Sequence, residues 1–84
     1  MISIIAINIT NKVIEPFRVQ EILSMYGNII KTRLGLSCLE EDETGLRGII
    51  VLEVLCDKND AQLKSLQEQL LAVDGLKLGT VQFE

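Results

Sequence analysis

Apolar residues recur along this chain at two periods, and the switches between them divide it into six elements. Over Met1–Thr10, Ile5, Ile7 and Ile9 fall on one side of an extended backbone and Ile4, Ala6 and Asn8 on the other, which predicts a strand buried on at least one face. Thr10-Asn11-Lys12 interrupts the pattern. Glu15-Pro16 then predicts a helix start, because proline at the first helical position sacrifices no hydrogen bond and a carboxylate there suits the helix dipole. Across Pro16–Tyr26, the residues Val19, Ile22, Leu23 and Tyr26 form one helical stripe, and Gly27 is expected to end it in a left-handed conformation.

Period two returns over Asn28–Leu39, with Ile30, Leu34, Leu36 and Cys38 expected toward the helices and Ile29, Lys31, Arg33, Gly35 and Ser37 away from them. The charged, glycine-containing stretch Glu40–Gly45 predicts a hairpin turn into Leu46–Asp57. In that strand Gly48, Ile50, Leu52, Val54 and Cys56 share one face and Ile49, Val51, Glu53 and Leu55 the other. Both faces are largely apolar, so the strand belongs in the interior of a sheet. Asn59, three residues before Gln62, resembles a capping box, and Leu63, Leu66, Leu70 and Val73 make a second helical stripe ending at Asp74-Gly75. Leu76–Phe83 reads as a fourth strand.

The order βαββαβ predicts one α+β domain over residues 1–84, a ferredoxin-like sandwich with a four-stranded antiparallel sheet ordered 4-1-3-2 and both helices on one face. The opposite face would carry Ile4, Ala6, Ile29, Ile49, Val51 and Leu55, which is too apolar to leave in water. A homodimer or homotetramer meeting through the sheet is therefore expected, with Ile49 and Val51 as anchors and Ile4, Ile29 and Leu55 around them.

Composition narrows the chemistry. Eight basic against twelve acidic residues leave a net charge of −4, which offers no footprint for nucleic acid or an anionic membrane. No apolar run reaches the ~20 residues of a membrane span, and the N-terminus lacks a signal-peptide pattern, so a cytoplasmic protein with reduced thiols is expected. In the predicted hairpin Cys38 and Cys56 lie roughly nine strand positions apart at about 3.3 Å each, too far for a disulfide. Histidine is absent. With it go the commonest general base and the commonest transition-metal ligand, and the expectation is a protein that is not an enzyme and has no metal or cofactor. The acidic run Glu40–Glu43 lacks the staggered spacing of a calcium loop and reads as a solvated turn. Arg33 has two readings: a cross-strand ion pair opposite Val51 or Glu53, or, with Gly35 admitting close approach, a holder of an anionic small-molecule effector.

The run Val19-Gln20-Glu21-Ile22-Leu23 through Tyr26-Gly27, followed by Ile29-Ile30 and Thr32-Arg33-Leu34-Gly35-Leu36, resembles the small proteins named iron-only hydrogenase system regulators. Their relatives include ACT-like domains and the C-terminal domain of the nickel-responsive NikR-type repressors. The similarity runs on to Asp74-Gly75-Leu76, and Tyr26-Gly27 with Arg33-Leu34-Gly35 is its most specific part. It implies an ACT-like fold, oligomerisation and a regulatory or ligand-sensing role, with a small-molecule effector or a partner protein. A structural or assembly accessory without a ligand is the alternative. NikR-type proteins bind metal chiefly through histidines, which this chain lacks, so nickel sensing does not carry over. The first strand begins at residue 1, so any transcriptional effect is expected to pass through another protein.

Overall fold

The period-two stretch at the N-terminus forms β1 (Ile2–Ile9) in a computed structural model that describes residues 1–36, 48–57 and 59–84. The remaining elements are α1 (Pro16–Met25), β2 (Ile30–Leu36), β3 (Gly48–Leu55), α2 (Ala61–Leu71) and β4 (Lys77–Phe83). All neighbouring strands are antiparallel, in the order β2-β3-β1-β4, which is the expected 4-1-3-2 order read from the other edge. β3, the most apolar strand, lies in the interior as its composition requires.

The core lies between the helices and one face of the sheet. Ile5, Ile7 and Ile9 of β1 and Leu52 and Val54 of β3 are buried, against Val19, Ile22 and Leu23 of α1 and Leu63, Leu66 and Leu70 of α2. Each such side chain contributes about 1.5–3 kcal/mol of transfer free energy on leaving water. Both predicted helical stripes are therefore the buried faces. Between them, the Tyr26 hydroxyl lies 2.6 Å from Ser65 Oγ, and the Gln69 side-chain amide donates to it at 2.6 Å. This polar link satisfies the hydroxyl of an otherwise buried ring.

Two local expectations are corrected. The first helix does not end in a left-handed glycine: Tyr26 is its C-cap, donating its N–H to Leu23 O at 3.3 Å, and Gly27 does not adopt positive φ. At the second helix the capping residue is Asp60 rather than Asn59. The Asp60 carboxylate accepts the Gln62 N–H at 2.7 Å, a charged acceptor one position nearer the helix. Gly75 is left-handed, with φ +85°, and a Cβ there would collide with the Lys12 backbone carbonyl, so the α2–β4 turn needs glycine for conformation and for space.

The third correction governs the site. Ile29 and Ile30 are adjacent, yet Ile29 is only 7% exposed and Ile30 also packs against the core. Strict alternation cannot send two consecutive residues inward. The chain resolves the conflict by turning at Tyr26, whose carbonyl accepts the N–H of Ile29 at 3.1 Å and of Ile30 at 3.3 Å. A register irregularity then falls between Ile30 and Thr32. Beyond it every β2 side chain lies on the face opposite to the one expected.

Candidate functional site

The register assembles the helix-free face of the sheet row by row. Thr32 stands opposite Glu53, which pairs with Ile4, which pairs with Val81. The next row runs Leu34, Val51, Ala6, Gly79, and the one beyond it Leu36, Ile49, Asn8, Lys77. At the other end Leu55, Ile2 and Phe83 align. Paired residues project to the same side of an antiparallel sheet, so these side chains form one continuous surface.

That surface is apolar and uncovered. Leu34 is 53% exposed, Val81 55% and Phe83 56%, with Leu36, Ile49, Ile2 and Leu55 also exposed. Glu53 is its central carboxylate, and it accepts a hydrogen bond from Thr32 Oγ1 at 3.0 Å. Lys77 and Asn8 sit at a corner.

Of the residues the sequence assigned to this face, Ile4, Ile49, Val51 and Leu55 are on it. Ile29 is not: it is buried with the core, and its carbonyl accepts the Leu55 N–H at 2.9 Å. Arg33 and Gly35 are also displaced. Arg33 pairs with Leu52 and Gly35 with Ile50, which puts both on the helix-facing side, out along the edge strand where the helices do not cover them. Of the two readings of Arg33, the cross-strand ion pair opposite Val51 or Glu53 is not formed: Arg33 stands opposite Leu52, and Glu53 accepts from Thr32 instead. Nothing lies within 4 Å of a Cβ built on Gly35, so that position is open. Thr32, Leu34, Leu36, Ile2, Val81 and Phe83 were not assigned to the site from the sequence. The adjacent isoleucines 29 and 30 were the available signal for the first three.

The other candidate groups are separate from this face. A shallow cleft of about 410 Å³ opens between the start of α1 and the end of α2, lined by Ile14, Glu15, Arg18, Gln69 and residues 72–74. Its Arg18 pairs with Glu21 at 3.5 Å. Cys56 is half-buried at the end of β3; burial pushes its thiol pKa up, and the nearby Asp60 carboxylate adds to the shift, so it is a poor nucleophile at neutral pH. Cys38 and the turn Glu40–Gly45 lie outside the described residues. Among the described residues no cluster of three or more His, Cys, Asp or Glu side chains could hold a metal ion, and no helix is long and apolar enough to cross a membrane.

The fold recurs in a solved structure. This chain is similar in fold to the uncharacterized protein TM1266 from Thermotoga maritima. The likeness covers 99% of this chain and 96% of that one, with a TM-score of 0.73 at 21% sequence identity. At that identity the shared property is the fold. No family model and no curated protein matches the chain.

Proposed function

We propose that this chain is a non-enzymatic regulatory domain that works as a homo-oligomer, its copies meeting through the helix-free face of the sheet. The observation that carries the reading is the apolar surface formed by Leu34, Leu36, Ile49, Val51, Ile4, Val81 and Phe83. Soluble monomers seldom leave so many adjacent large apolar side chains in water, and a second copy offers the same surface in return. The lack of histidine in the sequence supports a role in binding rather than catalysis. Arg33 and Gly35, on the uncovered part of β2, are the proposed contact for an anionic small-molecule effector, where the guanidinium supplies charge and the glycine leaves room. The resemblance of the Tyr26-Gly27 and Arg33-Leu34-Gly35 segments extends the proposal to regulation of an iron-only hydrogenase system.

Sedimentation equilibrium tests the interface. The wild-type chain is expected to self-associate, and Val51→Lys to weaken association by about 3 kcal/mol, roughly a hundredfold, because an unpaired ammonium would be buried. A wild-type monomer at high micromolar concentration overturns the proposal. A thermal-shift screen of nucleotides, organic acids and amino acids tests the effector, since a ligand at 100 times its Kd stabilises by about 2.7 kcal/mol. A hit that disappears in Arg33→Ala supports the sensor; no hit favours the ligand-free accessory.

A further inference from the structure

The two edges of the sheet are built differently. β2 carries the devices that keep an edge from pairing: a register irregularity at its start and two cations, Lys31 and Arg33, within it. β4 has no register irregularity, and its one cation, Lys77, is its first residue. It keeps unbroken register with β1 from Lys77 to Phe83, it contains no proline, and Leu78–Phe83 is uncharged. From Gly79 onward it is exposed, with nothing within 4 Å of a Cβ built on Gly79.

We infer that β4 is a pairing edge and that its occupant is β4 of a second copy, antiparallel about a two-fold axis perpendicular to the sheet. The self-complementarity of the strand argues for a copy of itself. Such an axis keeps each face of the sheet on its own side, so residues opposite one another must share parity. With the axis at Val81, that residue meets Val81 of the partner subunit. Phe83 and Gly79 lie two positions to either side, so each aromatic ring covers a glycine across the seam. On the helix side Thr80 stands beside Gln82 of the partner subunit, two hydrogen-bonding side chains together. Placing the axis at Thr80 instead sets Lys77 against Phe83 of the partner subunit and leaves both glycines uncovered by a ring. The product is one continuous sheet of eight strands, twice the four of a single copy.

This edge shares Val81 and Phe83 with the sheet-face interface proposed above but engages the free backbone of β4, and it does not depend on that interface. The test uses Val81→Cys in a chain that also carries Cys38→Ser, Cys56→Ser and Val51→Lys, at a concentration where sedimentation shows the face contact of Val51→Lys to be dissociated, so that the edge is what brings the new thiols together. Under mild oxidation it is expected to form a covalent dimer at least about tenfold faster than Thr80→Cys or the exposed α2 control Lys64→Cys in the same background, because a directly opposed pair meets disulfide geometry and a diagonal one does not. Equal rates for Val81→Cys and either control overturn the inference. So does an uncross-linked purified Val81→Cys protein, as an edge reserved for an extended peptide of another protein would give. Val81→Lys provides the second measurement. The site is exposed, so the fold should persist by circular dichroism, and the sedimenting mass should fall in the Val51→Lys background; an unchanged mass above that of a monomer also overturns it. Loss of association in Val51→Lys alone, with the Val81→Cys cross-link absent, would leave the face reading standing and remove the edge.

Discussion

The Thr32 hydroxyl donates to Glu53 Oε1 at 3.0 Å across the β2–β3 ladder, in the middle of a sheet face otherwise lined by Leu34, Val51, Ile4 and Val81. One carboxylate thus interrupts an apolar surface, and it comes with its own hydrogen-bond donor. If this face joins copies of the chain, the carboxylate weakens the contact by the cost of drying it. Glu53→Leu is expected to tighten self-association by at least tenfold, about 1.4 kcal/mol. Sedimentation equilibrium at several concentrations reads this directly, and an unchanged or weaker constant would count against the face as the interface.

The polar link between the helices is expected to stabilise the fold. Tyr26→Phe keeps the ring and deletes the hydroxyl that contacts Ser65 and Gln69. The loss should be about 1–2 kcal/mol, and for a domain of this size each kcal/mol lowers Tm by roughly 4–8 °C. Urea unfolding of the two proteins, showing no difference, would mean that the hydroxyls lose nothing on returning to water.

The start of α2 distinguishes two adjacent residues. Asp60→Ala removes the side chain that accepts the Gln62 N–H and should cost about 1 kcal/mol, while Asn59→Ala should change stability by less than about 0.5 kcal/mol. Equal losses in thermal unfolding would contradict the cap assignment.

Ser3 faces the core at 0% exposure, and among the described residues no group bonds its Oγ. A buried hydroxyl without a partner is a net cost, so Ser3→Ala is expected to raise stability by about 1 kcal/mol. A lower unfolding midpoint for the alanine variant would show that the hydroxyl is satisfied in solution.

Cys56 makes a pH-dependent prediction. Burial, reinforced by Asp60, favours the neutral thiol in the folded chain, so the folded state holds this proton more tightly than the unfolded one. The associated stability is fully present below the ordinary thiol pKa and is lost as pH rises through the elevated folded value. In a Cys38→Ser chain, alkylation of Cys56 by iodoacetamide at pH 8 should run slower folded than in denaturant. Equal rates in both conditions would refute the shift.

The element order, both helical stripes and the interior position of β3 were legible in the sequence because each depends on periodicity within one segment. Ile5, Ile7 and Ile9 declare a strand face, and Leu63, Leu66 and Leu70 a helix face, with no reference to the rest of the chain. The composition of the outer face was legible for β1 and β3 for the same reason. The face of β2 was not. Counting alternation from Asn28 assigns Arg33 outward, but Ile29 and Ile30 compete for the same core, and burying the first while packing the second against it shifts every later residue by one position. Only packing against the helices decides that competition, since the apolar area gained by a second isoleucine outweighs one irregular step in the ladder. The tertiary structure thereby decided which side chains line the candidate site: Leu34 and Leu36 joined the apolar surface, and Arg33 and Gly35 moved to the opposite side of the edge strand.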